Sequence, residues 1–570
     1  MRAVLASLPA ALLALLLTAC GSQTKRVTTT ATVTVTRTTT AATTPPPTMP
    51  TVTVLETTGP DSLDPQVGTN SQSDEATWLA YTGLLTYAHA DGVGSTRVIP
   101  GLAIARPTIS DDGMTYTLQL RSGLRYSNGF AVRASDFTYT VERALRLHWA
   151  GDSYIAGSIV GASAYAAGHA STISGIQTDN ATGSIVIHLR APYGAFENVL
   201  AFPALGLVPA GVAMTPIGNS PPPGVGPYML TNVTGNAFKA VINPLYAAEA
   251  VPGIPVASVD ISVRIGGSAQ SDISQVLADD ADVLDPSVHP SPAAQAQLRG
   301  AASSRFAIHA AGSTEFFFLN VRRAPFLNPL AREAVIVALD RPALSALDGG
   351  SLIPGCYLIP PAVVGHPTAP CPFADPTAAG DLARARRLMA RSGMLGAPVI
   401  VSGERSEPMR AQTLAYVHLL GELGFHATAK IFRDGRYAAA ITDAAGGLQT
   451  GFAVYDDDFP SPIDFYRLLE HSTLPVGNED LDHADDPFIQ SSLRTLAVVP
   501  TSKLRTVSMS WRVLDRYVAR RGYLAVVGYG EETELTSSRI DFAAVRSIPF
   551  YGLDWTSLRL SAPAGVASAS

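Results

Sequence analysis

The stretch GMTYTLQLRSGLRYSNGFAVRASDFTYTVERAL, Gly113 to Leu145, changes its hydrophobic period partway along, and that change limits the fold more than any other feature. In its first part Tyr116, Leu118 and Leu120 alternate with Thr115, Thr117 and Gln119, the pattern of a half-buried strand. Beyond a polar turn, Phe137, Val141, Ala144 and Leu145 fall at helical spacing, with Ser135 or Asp136 as the expected N-cap. FLNPLAREAVIVALDR reads as a second helix, capped by Asn328, with Pro329 at the first helical position and Leu330, Ala334, Ala338 and Leu339 facing inward. A third, built around Leu414, Val417 and Leu420, ends at Gly424. Short strands alternating with helices, with no detectable repeat and no long apolar span after residue 20, predict α/β architecture. At 570 residues with 46% hydrophobic and 15% charged residues, the chain has material for two or three such domains.

Met1-Arg2 leads into an apolar run from Ala3 to Leu17, a secretory signal too short for a good membrane span. Leu17-Thr18-Ala19-Cys20 looks like a bacterial lipobox, in which cleavage ahead of the cysteine leaves Cys20 to carry lipid. Residues 1–19 are thus expected to be removed. Residues 20–53, dominated by Thr and Pro, read as a tether that holds a body starting near Val54 clear of a membrane. In an exported chain the two remaining cysteines, Cys356 and Cys371, are most economically read as a disulfide, contributing roughly 3 kcal/mol by loop closure.

Other classes find little support. A net charge of -7 and a pI near 5.9 offer no basic stripe for a phosphate backbone, so nucleic acid is not an expected partner. No CxxC pair and no HExxH or HxxxH spacing points to a metal, and neither metal nor cofactor is expected. DDADVLD, Asp279 to Asp285, lacks the glycine a calcium loop needs and reads as a turn between helix and strand. A secreted hydrolase would be expected to carry a G-x-S-x-G elbow; the nearest serine motif is GDS at Gly151 to Ser153, and no enzyme is expected. AVYDDDFPSPIDF, Ala453 to Phe465, taken alone reads as a solvated acidic turn.

Taken in order, several segments resemble extracellular solute-binding protein family 5, the peptide- and nickel-binding class that serves ABC importers. The resemblance rests on SLDPQVGTNSQSDEATWLAYTGLL at the start and on the strand, LRSGLRYSNG and helix block quoted above. It extends through GVGPYML (Gly224 to Leu230), FFFLNVRRAPFLNPLAREAVIVALDR and the closing FYGLDWTSLRL. Arg133 and Ser135 depart from the usual Thr and Glu, and Tyr455 stands where the family has Trp.

The resemblance implies a periplasmic-binding-protein-like type II fold with two lobes and a small inserted domain. One lobe would comprise residues 54–86, 217–305 and 530–562, the inserted domain 87–216, and the second lobe 306–529. YDDDFPSP then aligns with the acidic loop that receives a peptide's α-amino group. Asp458 takes the receptor position, Tyr455 and Phe459 the flanking aromatic positions, and Thr69, Asn70 and Ser71 face them from the opening loop. Asp456 and Asp457 occupy variable places and keep the solvated-turn reading. The implied protein is a monomeric lipoprotein, anchored extracytoplasmically through Cys20, that delivers peptides or another small solute to a permease. A same-fold binder of a glycan or metal chelate, or a sensor or chaperone uncoupled from transport, is the alternative.

Overall fold

The computed structural model describes residues 49–246, 251–433, 435–441, 447–469 and 480–562. The signal peptide, Cys20 and the tether as far as residue 48 lie outside the described residues.

The first strand, Thr51–Glu56, starts ahead of the expected boundary at Val54. Val52 and Val54 alternate into the core while Thr51 stays exposed, so Thr51 to Thr53 belong to the sheet and not to the tether. It pairs in parallel with Asp260–Ile265 and with Val283–Leu284, and Ala237–Ile242 and Tyr228–Thr231 extend the sheet in antiparallel fashion. A second sheet has the order Leu352–Pro354, Leu524–Leu535, Phe306–Leu319, Thr450–Asp456, Pro398–Glu404, His426–Phe432. Its longest pairing joins Phe306–Leu319 to Leu524–Leu535, with register shifts between Ala310 and Thr314 and between Glu315 and Phe316. A bridge from Val283 to Thr536 ties the end of that pairing to the first sheet.

A third, four-stranded sheet between Thr108 and His188 contains the alternating strand, with Tyr116, Leu118 and Leu120 buried as expected. The following helix, Ser135–Arg146, buries Phe137, Val141, Ala144 and Leu145, but its start differs from the expectation. Neither Ser135 nor Asp136 is the N-cap. Asp136 sits inside the first turn, and its carboxylate reaches back to accept from the Arg133 amide (2.9 Å) and the Tyr126 hydroxyl (2.9 Å). Within this helix Arg143 is fully buried and meets Asp64 of the opening Asp-Pro through two contacts, Nη1 to Oδ1 at 2.6 Å and Nη2 to Oδ2 at 2.7 Å.

Asn328 caps Pro329–Ala338 by accepting from the Leu330 amide, as expected. The helix Met409–Glu422 turns a different face inward. Tyr416 stacks on Phe317 at 3.8 Å and Leu420 is buried, whereas Leu414 is exposed. Gly224 and Gly226 pack against the end of Ser71–Ala80 so closely that a Cβ would come within 2.2 Å of the Ala80 carbonyl oxygen and 2.4 Å of that of Leu79. That closeness is the physical reason for glycine in this turn. Cys356 and Cys371 are joined by a disulfide, with their Cα atoms 6.0 Å apart.

Candidate ligand-binding site

A cavity of about 580 Å³ opens where the helix Ser71–Ala80 faces the ends of the second sheet's central strands, within the 300–1,000 Å³ range of small-molecule sites. Thr69, Asn70 and Ser71 line it, and so do Asp456, Asp457 and Asp458 from a distant part of the sequence. The three aspartates are therefore gathered on the cavity; Asp456 is exposed as expected but ends the strand Thr450–Asp456 and is not part of a turn, and Asp457 is partly buried, so the solvated-turn reading is corrected in those respects. Asp457 is fixed by close backbone approach: its amide donates to the Gly312 carbonyl at 2.9 Å, and a Cβ on Gly312 would lie 2.1 Å from the Asp457 carboxylate.

Asp458 is the best-supported of the three. Its amide donates to Asp464 Oδ2 at 2.7 Å, and its Oδ2 accepts from Arg467 Nη1 at 2.8 Å and from the Tyr154 hydroxyl. The Tyr154 oxygen also lies 2.9 Å from Asp464 Oδ1, so its one proton is shared between the two carboxylates, and its ring lies under the Arg467 guanidinium at 4.9 Å. The assembly fixes the Asp458 carboxylate and still leaves 47% of its side chain exposed. Burial, and then the charge of Asp458, hold the Asp464 carboxyl well above the usual carboxylate range.

Tyr455 and Phe459, expected beside the ligand, do not line the cavity. Strand alternation explains the first: Val454 and Asp456 face the cavity, so Tyr455 between them points to the opposite side and packs on Phe465 at 5.4 Å. Phe459 is wholly buried and supports Tyr154 (5.6 Å) and Phe202 (6.0 Å), which do line it. Asn70 lines the cavity, yet its hydrogen bonds are local: Oδ1 caps the helix through the Ser73 amide (3.0 Å) and Nδ2 donates to the Gly59 carbonyl (2.9 Å). The Thr69 hydroxyl is likewise tied, donating to Asp61 at 2.5 Å.

Sequence reasoning missed most of the cavity's charge. From the first sheet's side come Asp74, Glu75 and Asp285. The second sheet's side adds Glu315, Asp348, Glu531 and Glu532 to the three aspartates. Among the described residues no lysine or arginine lines the cavity, and its one basic group is His289, whose pKa burial depresses. Burial and mutual repulsion drive these acids upward: Asp74 to about 7 through burial, Asp458 and Asp61; Glu315 to about 8 through burial, Asp348 and Asp456; Glu532 to about 8 through burial and Glu534. Glu75 and Asp285 are joined by Glu56, which does not line the cavity: the three each place an oxygen within 4.8 Å of the others, and both Glu56 oxygens are buried without a hydrogen-bond partner among the described residues. Asp285 is the last residue of DDADVLD; that segment is a turn as expected, but its end belongs to the site. The i, i+3 spacing of Asp464 and Arg467 just past the acidic run was a usable signal. For Tyr154, Glu315 and Asp348 the sequence holds no comparable one.

Solved structures with this arrangement define the class: the chain has the periplasmic-binding-protein-like type II fold, with two lobes and a small inserted domain. The structure of "Clavulanic acid biosynthesis oligopeptide binding protein 2" superposes with a TM-score of 0.77 at 22% identity, covering 90% of this chain and 95% of that one. "Listeria monocytogenes OppA bound to peptide" does so with a TM-score of 0.64 at 16% identity, covering 90% and 99%. Residues 97–474 match the family described as "Bacterial extracellular solute-binding proteins, family 5 Middle", and the chain belongs to that family. A relative by sequence is the glutathione-binding protein GsiB of Escherichia coli O1:K1 / APEC, 26% identical over 328 residues. That match covers 56% of this chain and 58% of the relative, so it spans less than two thirds of the relative's length.

Proposed function

We propose that the chain is the substrate-binding component of an ABC importer, taking up a peptide or related amine-bearing solute and presenting it to a membrane permease. It would act as a monomer, anchored on the outer side of the membrane by lipid at Cys20 after removal of the signal peptide. Its lobes would divide near residues 306 and 530, where Phe306–Leu319 and Leu524–Leu535 pair, and close on the ligand by a hinge movement. No bond of the ligand is made or broken in this reading.

The observation that carries it is the Asp458 carboxylate, half exposed on the cavity wall and held in place by Arg467, Tyr154 and its own amide bond to Asp464. A fixed carboxylate in an enclosed cavity receives an ammonium through charge-assisted hydrogen bonds, about twice as strong as neutral ones. Ser71 would supply a polar contact from the opening loop, where the Thr69 hydroxyl is committed to Asp61.

Calorimetric titration of the full chain in detergent with a mixed short-peptide library, beside an Asp458→Asn variant, tests the reading. Binding by the parent and a loss of at least tenfold in the variant, about 1.4 kcal/mol, are expected. Equal affinity in the two, or no peptide binding by the parent, would remove Asp458 from the role of amine receptor.

A further inference from the structure

One amine does not account for this cavity. Besides Asp458 it presents carboxylates from both sides, Glu75 and Asp285 among those from the first sheet's side and Glu315 and Asp348 among those from the second's, with no lysine or arginine among the described residues lining it. The chain as a whole carries 40 basic residues against 47 acidic ones, so the one-sided lining is a local arrangement and not an effect of composition. We propose that the ligand is an organic polycation, with at least two ammonium or guanidinium groups, received by carboxylates from both sheets' sides of the cavity and by the aromatic rings that line it with them. The proposal rests on reading this cavity as the ligand site, and it goes beyond the single amine that any peptide offers.

Two further observations point to a ligand. The Tyr551 hydroxyl is buried and has no hydrogen-bond partner among the described residues, although Tyr551 lines the cavity and the charges of Asp74, Asp457 and Asp458 act on it. A buried hydroxyl left unsatisfied is costly, and an N–H donor entering the cavity would satisfy it. Glu56, which does not itself line the cavity but places an oxygen within 4.8 Å of Glu75 and Asp285, which do, is 1% exposed, and neither of its carboxylate oxygens has a hydrogen-bond partner among the described residues.

The aromatic lining decides which kind of cation fits. Trp149, Phe550 and Tyr551 line the cavity together with the acids, and Tyr551 is braced by Trp78 (5.7 Å), Tyr87 (5.8 Å) and Phe550 (4.6 Å). Ring faces attract ammonium and guanidinium groups on alkyl stems, pairing a charged head with apolar contact. A bare divalent ion asks instead for a compact shell of oxygens. Basic peptides and linear polyamines share the favoured chemistry.

The test uses the full chain in detergent and four probes: trilysine, trialanine, triglutamate and spermidine, with calcium and magnesium chloride as controls, each titrated at low and high salt. Trilysine is expected to bind at least tenfold more tightly than trialanine, triglutamate not at all, and the preference to narrow at high salt. Preference for spermidine with no peptide binding would uphold the polycation and defeat the peptide reading. Equal binding of trialanine and trilysine would overturn the polycation and leave the peptide reading standing. Binding of the divalent ions alone, or of none of the probes, overturns both.

Discussion

Two sets of carboxylates in this molecule, one buried in the scaffold and one lining the cavity, differ in what answers them. Asp64, in the opening segment, is fully buried against Arg143 of the helix Ser135–Arg146, which also donates to the Ala213 carbonyl at 2.8 Å and to Gln66. Asp457 and its neighbours on the cavity face further acids, and no arginine or lysine lines their cavity among the described residues. Where charge joins parts of the scaffold the chain supplies the counter-charge itself. On the cavity only Asp458 is met in this way, by Arg467 from behind the lining; for the other lining acids no arginine or lysine among the described residues shares the cavity, and the difference separates structure from site.

The largest effect is expected at the joint. Arg143→Met leaves Asp64 buried and unpaired and should destabilise the chain by about 3–5 kcal/mol in urea unfolding. The double change Arg143→Met with Asp64→Leu should restore much of that loss. A single-variant loss below about 1 kcal/mol would show that Asp64 is answered some other way and would break the comparison.

The cavity should respond to pH with a definite sign. Asp74, Glu315 and Glu532 hold their protons to about 7, 8 and 8, while in the unfolded chain they release them near the ordinary carboxylate range. Between those limits the folded state binds more protons, so ligand-free stability should rise as pH falls from about 8 toward 5, by about 1.4 kcal/mol per pH unit for each proton retained. Unfolding curves of the parent and of Glu532→Gln at several pH values check it. The variant should show the shallower slope, and a parent with flat stability across the range would mean that the cavity acids are neutralised. Affinity for a cation should run the opposite way, strengthening as pH rises.

These two regions also mark how far the sequence could be read. Local periodicity placed Tyr116, Leu118 and Leu120 inward and gave Asn328 as a cap, because those relations span only a few neighbouring residues. The same reasoning missed the inward face at Tyr416, where an exposed Leu414 misled it, since a helix can carry apolar residues on more than one side. The site was legible only at its contiguous acidic run. Asp74, Asp285, Glu315, Asp348 and Glu531 come from separated segments, and only the fold assembles them. Tyr455 was placed by alignment with a family motif, whereas strand alternation, visible in the sequence, already set it opposite Val454 and Asp456.

Asn70 gives the smallest effect and the sharpest division, because it lines the cavity and also caps a helix. Its Oδ1 takes the Ser73 amide and its Nδ2 the Gly59 carbonyl, which commits both ends of the side-chain amide within its own loop. Asn70→Ala should then cost about 1 kcal/mol of stability, and Asn70→Ser, which keeps a capping oxygen, only a few tenths. Ligand affinity, read by the same titration used for Asp458→Asn, should change less than about twofold in either variant, well under the factor of ten that 1.4 kcal/mol represents. If Asn70→Ser keeps its stability but loses affinity tenfold, the amide gives up its local bonds to meet the ligand. The line between scaffold and site would then run through the helix cap and not behind it.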